Sequence, residues 1–171
     1  PTSNGIGSDA FAIVWDGKEI HGLNGSGRSP RGWSLARFSG KNRMPKLGWD
    51  TVTVPGVVDA WVSLSRRFGK LPFADLFESA IRYATDGFIV SPVTAEKWSA
   101  AQELYGDFPD FGAAFLPGGR SPLAGELFRP LGMADTLKII AETGGESFYR
   151  GPLAEKIAAC AAAAGGAMTT N

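Results

Sequence analysis

Reactive and metal-binding side chains are scarce in this chain of 171 residues, which holds one cysteine, Cys160, and one histidine, His21. A single cysteine excludes an internal disulfide and any cysteine-rich metal centre. With one histidine there is little material for a zinc site or a Ser-His-Asp triad, so neither a metal nor a cofactor is expected. Charge of one sign is not in excess either. There are 17 basic and 17 acidic residues and the pI is about 7.2. A nucleic-acid or anionic-membrane partner needs a clustered basic surplus, so neither is expected. No apolar run reaches the roughly 18 residues of a membrane span. A signal-peptide pattern is also missing, but the chain begins at Pro1 and not at methionine, so an upstream portion is expected to be absent and localisation stays open.

What is present is glycine, proline and apolar periodicity. The run Phe11-Ala12-Ile13-Val14-Trp15, the turn pair Asp16-Gly17 and the run Lys18-Glu19-Ile20-His21-Gly22-Leu23 predict a β-hairpin. His21 sits in its second strand and reads as an ordinary surface histidine, not a general base. The approach Asn4-Gly5-Ile6-Gly7-Ser8-Asp9 is not a dinucleotide fingerprint, because the third glycine and the following helix are missing. Residues 24–32 are a small-residue loop, residues 33–38 a short helix, and residues 39–50 irregular. From Pro55 the period becomes helical: Val57, Ala60, Trp61, Leu64 and Phe68 recur at three and four residues and Gly69 stops them. A second stripe runs from Phe73 to Ala84 and ends at Gly87, expected as a left-handed cap. Ser91 caps a third helix over 93–105. Residues 108–129 read as an ordered loop with a short turn of helix. A fourth helix covers 132–143, a short turn 146–150, and an alanine-rich fifth helix follows Pro152 to Ala164. The fold class on pattern is α+β, a strand hairpin followed by a mainly helical stretch, read over 1–171 as a single region. Two strands are marginal alone, so the hairpin is expected to join a larger sheet built from segments outside this chain.

The order and spacing of several motifs resemble the large-subunit segment of γ-glutamyltransferases. These are Gly5-Ile6-Gly7-Ser8-Asp9-Ala10-Phe11, Pro30, Val54-Pro55-Gly56, Phe88-Ile89-Val90-Ser91-Pro92, Glu146-Ser147-Phe148-Tyr149-Arg150-Gly151, and Gly165-Gly166-Ala167-Met168-Thr169-Thr170-Asn171. Each is weak alone; together, in family order, they cover nearly the whole chain. The resemblance implies part of an Ntn-hydrolase αββα sandwich, from a precursor that cuts itself in two. It also implies that the nucleophilic threonine opens the small subunit, downstream of this stretch, so no catalytic residue is expected here. The expected partners are then the rest of the precursor, which carries that threonine, and a small-molecule γ-glutamyl or related amide. Thr169-Thr170 mimics the family's threonine pair. Cutting before Thr169 would leave only Thr169, Thr170 and Asn171, too little to build an oxyanion hole, so both are expected to be ordinary residues.

In the family an arginine shortly before an acidic residue pairs with the α-carboxylate of the γ-glutamyl group, a task that suits a planar guanidinium. Anchored on Pro30, the arginine's place falls at Ser26 and the acidic residue's at Gly27, while Arg28 lies two residues later. Two readings stand. Arg28 reaches the carboxylate through a remodelled glycine loop, which makes it the candidate substrate-binding residue, or it is structural and the substrate is not a glutamyl amide. The implied activity is hydrolysis or transfer of γ-glutamyl groups from glutathione-like amides. A cephalosporin-type acylase is a close alternative, and an inactive homologue serving as a binding or structural subunit is another.

Overall fold

The computed structural model describes residues 5–170; Asn4 and Asn171, the ends of two of the motifs above, lie outside the described residues. In chain order the elements are strands β1 (Ala10–Trp15) and β2 (Ile20–Gly25), helix α1 (Val57–Phe68), helix α2 (Glu78–Asp86), strand β3 (Phe88–Ile89), helices α3 (Pro92–Tyr105) and α4 (Pro109–Phe115), strand β4 (Leu127–Phe128), and helices α5 (Leu131–Glu142), α6 (Glu146–Arg150) and α7 (Pro152–Ala163). Single 3-10 turns at Leu35–Phe38, Trp49–Thr51, Ala74–Phe77 and Pro117–Gly119 punctuate the connections. The fold class is α+β. The stretch read as one region contains two compact units, residues 5–73 with 142–170, and residues 74–141. No helix among the described residues is long and apolar enough to cross a membrane.

In the first unit β1 and β2 pair antiparallel, with Val14 opposite His21 and Trp15 opposite Ile20. The turn forms because Asp16 Oδ1 accepts from the backbone N–H of Lys18 and of Glu19 (2.8 and 3.0 Å) while Gly17 takes φ +99°. The alternation of strand side chains then splits the hairpin into two faces. Ala12, Val14, His21 and Leu23 turn toward α1, whereas Phe11, Ile13, Trp15 and Ile20 are 62–82% exposed on the other. Among the described residues this sheet has two strands only. Its bare apolar face is the physical mark of a sheet layer without its partner layer.

Helix α1 buries Val57, Val58, Ala60 and Val62; of the stripe read from sequence Val57 and Ala60 are buried and Trp61, Leu64 and Phe68 half-buried, while Val58 and Val62 lie outside that stripe. Phe148 of α6, Leu153 and Ala161 of α7, and Met168 are buried in the same unit. The segment after α7 is tied back onto residues 32–50: Arg37 donates to the Gly165 carbonyl, and Gly166 lies so close to Trp49 that a Cβ would sit 2.8 Å from its side chain. Arg37 and Lys41 also hold the Asp50 carboxylate at 2.6 and 3.0 Å, keeping its pKa below the ordinary range through those two hydrogen bonds.

His21 is not a surface residue. Its side chain is 11% exposed, its ring packs on Phe68 at 5.2 Å, Nε2 lies 2.8 Å from Asp16 Oδ2, and Nδ1 lies 2.8 Å from Arg67 Nη2. Arginine only donates, so Nδ1 accepts and Nε2 carries the proton toward Asp16. Backbone N–H bonds, led by that of Glu19, and the His21 bond hold the Asp16 carboxyl well below the usual carboxylate range. His21 is thus a bracket between the hairpin turn and α1.

The second unit buries Phe77, Ala84, Val90, Leu116, Phe128, Leu137 and Ile140. Ser91 caps α3 as expected, its Oγ accepting from Thr94 N at 3.2 Å. Gly87 has positive φ (+94°) but ψ of 166°, so it ends α2 in an extended turn and not a left-handed cap. That turn feeds β3, which pairs antiparallel with β4, Phe88 opposite Phe128. Trp98 stacks edge-on against Phe128 at 4.7 Å and its Nε1–H donates to the Phe115 carbonyl at 2.9 Å.

Candidate functional site

The first unit carries a groove of about 490 Å³. Three segments build it: the loop from Ser26 to Arg31, the Val54-Pro55-Gly56 entry to α1 with Asp59 in the helix's first turn, and Tyr149 and Arg150 from α6; Thr169 and Thr170 complete the lining.

The first two segments are seated by backbone contacts that admit only glycine. A Cβ on Gly27 would fall on the Val54 carbonyl oxygen, and one on Gly56 would fall on the Gly25 carbonyl. Only glycine allows these approaches. Position 27, the expected place of an acidic residue, therefore has no room for any side chain. Instead Asp9, on the approach to β1, supplies a carboxylate: its Oδ1 accepts from Gly27 N at 2.8 Å and from Gly56 N at 3.3 Å. The Arg28 carbonyl accepts from Val54 N at 2.9 Å, and Val57 N donates to the Ser8 carbonyl at 3.0 Å. Helix α1 has no side-chain N-cap from Gly56. Tyr149 fills that role from across the groove: its hydroxyl donates to the Pro55 carbonyl at 2.8 Å and accepts from Asp59 N at 3.0 Å. Burial is the main cause that raises the Tyr149 phenol above its usual pKa; the Asp59 N–H opposes this and the Asp59 charge adds to it.

Arg28 is exposed and lines the groove, and among the described residues no carboxylate or carbonyl holds its guanidinium. Arg150, by contrast, is paired with Glu146 at 3.1 Å. The groove thus offers a free guanidinium beside the electropositive start of a twelve-residue helix, with Asp59 as the one acidic side chain in the lining. An anion is stabilised by the guanidinium and the helix terminus, an ammonium by Asp59. Arg28 was the one site residue expected from sequence. Asp9, Asp59 and Tyr149 were not, although Asp9 and Tyr149 stand inside quoted motifs; their separation along the chain hides their convergence. Thr169 and Thr170, read as ordinary residues, line the same groove. Asp16, Glu19 and His21 place ligand atoms within 4.8 Å of one another at the hairpin end, but Arg67 donates to His21 Nδ1, the nitrogen that would have to carry the proton were Nε2 to bind a metal.

The α+β unit thus presents a groove pinned by glycines, with a guanidinium and a helix start in its lining. Comparison with known proteins gives its class. The gamma-glutamyltranspeptidase family model matches residues 1–171. A glutathione hydrolase-like YwrD proenzyme of Bacillus subtilis is 36% identical over 160 residues, covering 92% of this chain and 30% of that protein. An oxamate amidohydrolase proenzyme of Klebsiella pneumoniae is 36% identical over 177 residues, covering 99% of this chain and 33% of its own length. Among solved structures, a cephalosporin acylase from Bacillus halodurans superposes with a TM-score of 0.93 at 44% identity, over 99% of this chain and 33% of that one. The chain belongs to the gamma-glutamyltranspeptidase family, whose members are Ntn-hydrolase enzymes. It spans about a third of the length of the curated relatives it matches.

Proposed function

We propose that this chain is the large-subunit portion of an N-terminal-threonine amidase or acyltransferase, that it supplies part of the substrate groove, and that Arg28 binds a carboxylate of the substrate. The observation that carries the reading is the unpaired guanidinium of Arg28 on a loop seated by Asp9 and Val54. A structural arginine is normally satisfied by carboxylates or carbonyls; a ligand-binding one keeps its fork free. The nucleophile is a threonine in the small-subunit part of the precursor, the partner of this chain. Its hydroxyl attacks the amide carbonyl while its own α-amino group takes the proton; the amine leaves with a proton, and water or an acceptor amine releases the acyl group from the ester. The substrate is a γ-glutamyl amide of the glutathione kind, and the chain alone is inactive. Self-processing of the full-length protein should give two bands on denaturing electrophoresis; a single band would favour an inactive homologue.

The test is Arg28→Ala in the processed enzyme. KM for a γ-glutamyl anilide should rise about ten- to a hundredfold, the loss of a charge-assisted contact worth roughly 1.5–3 kcal/mol. Arg28→Lys should recover part of it, with thermal stability unchanged in both. Unchanged KM with lowered stability would make Arg28 structural. A second reading, a cephalosporin-type acylase, is favoured by the 44% identity to the acylase structure. Rates on a glutaryl-amide β-lactam and on the γ-glutamyl anilide, compared in one preparation, separate the two.

A further inference from the structure

We propose that Asp9 is a positioning residue for Arg28, holding the arginine loop against the start of α1 so that the guanidinium meets the substrate already in place. The proposal rests, for its substrate half, on the reading of Arg28 given above. Its geometric half stands independently.

One carboxylate oxygen, Asp9 Oδ1, accepts from Gly27 N at 2.8 Å and Gly56 N at 3.3 Å, donors that lie 18 and 47 residues away in sequence. A carboxylate oxygen takes two donors at once, and charge makes each bond stronger than a neutral one. On the far side of the same residue, the Arg28 carbonyl accepts from Val54 N at 2.9 Å. The backbone at Arg28 is therefore clamped before and after its Cα, while the side chain beyond it has no partner among the described residues. The clamp tolerates no bulk: a Cβ on Gly27 would meet Val54 O, Thr53 Oγ1 at 2.8 Å and Asp9 Oδ1 at 3.0 Å. Without Asp9, two partly buried N–H groups lose their acceptor and a loop carrying Gly25 and Gly27 is free to move. Preordering that loop lowers the entropy that substrate binding must overcome, so the effect falls on KM, through Arg28, and little on kcat.

The experiment combines kinetics with limited trypsin digestion of the full-length, processed protein. Asp9→Ala should raise KM for the γ-glutamyl anilide about tenfold, with kcat within about twofold, as expected for loss of ground-state ordering. In an Arg28→Ala background the same change should add less than about twofold, since an effect exerted through the Arg28 guanidinium is lost once that group is gone. Trypsin should cut the Arg28–Ser29 bond about tenfold faster in Asp9→Ala, because local opening governs cleavage. Asp9→Asn, which keeps an oxygen acceptor but not the charge, should give about threefold changes in both readouts and serves as the test if the alanine variant does not fold. Equal KM effects in the two backgrounds, or unchanged cleavage at Arg28, overturns the proposal. If Arg28→Ala itself leaves KM unchanged, the carboxylate reading fails, while the trypsin measurement still decides whether Asp9 seats the loop.

Discussion

In the groove-bearing unit, Gly25, Gly27 and Gly56 sit where a Cβ would strike neighbouring backbone, and polar contacts reach from Asp9 to Gly56 and from Tyr149 to Pro55, 47 and 94 residues apart. In the helical unit, Gly112, Gly125 and Gly132 would meet nothing within 4 Å, and an aromatic group around Trp98, Phe115 and Phe128 fills the space. Gly87 and Gly106 are the crowded exceptions: Gly87 is crowded by side chains of Leu127 and Arg129, and Gly106 by the carbonyl of Gln102 one turn back in its own helix, not by a distant segment. The contrast separates two uses of the chain. Aromatic and aliphatic packing tolerates adjustment and suits a scaffold. Backbone laid on backbone, with buried polar ends satisfied one by one, suits a loop that must present a guanidinium in one place.

Substitutions can break or sharpen this contrast. The largest effect is expected for Gly27→Ala, which should lower stability by about 3 kcal/mol in chemical denaturation, because backbone carbonyls cannot move aside as side-chain tips do. Tyr149→Phe should cost about 1–2 kcal/mol, since it strands the Asp59 N–H at a helix start that has no other side-chain cap. In the helical unit, Ser91→Ala should cost about 1 kcal/mol through loss of the α3 cap. Gly112→Ala, inside α4 with open space around it, should be neutral or stabilise by up to about 1 kcal/mol. If Gly27→Ala and Gly112→Ala had the same effect, the distinction between the units would fall.

The smallest effect concerns pH. Arg120, with the Leu123 N–H behind it, lowers the Glu126 carboxyl from 4.5 to about 2. A lowered pKa stabilises the fold above the ordinary value, and that contribution is lost as pH falls from about 4.5 toward 2. The pair is exposed, so the loss should be slight. Carboxyl titration followed by NMR should show a midpoint near 2 in the native protein and a higher one in Arg120→Ala, still below the ordinary value because the Leu123 N–H remains.

The hairpin and the longer helices were legible because their signals are local: Asp16-Gly17 for the turn, the Val57 to Phe68 spacing for α1, Ser91-Pro92 for α3. The β3–β4 ladder was not, because two-residue strands carry no period and pair across 37 intervening positions of loop and helix, between Ile89 and Leu127. Nor was the seat of His21, which depends on Arg67 and Phe68 arriving from α1. Of the groove, Arg28 was readable through its loop and Pro30. Its setting was not, since Asp9, Tyr149 and Thr169 reach it from separate segments and no local pattern records the meeting.

The central claim is that Arg28 recognises a carboxylate, and one comparison tests it most directly. kcat/KM is measured for a γ-glutamyl anilide and for its α-carboxamide analogue, in the native enzyme and in Arg28→Ala. The native enzyme should prefer the carboxylate by about ten- to a hundredfold, and Arg28→Ala should erase that preference. A preference that survives the substitution undiminished would contradict the account.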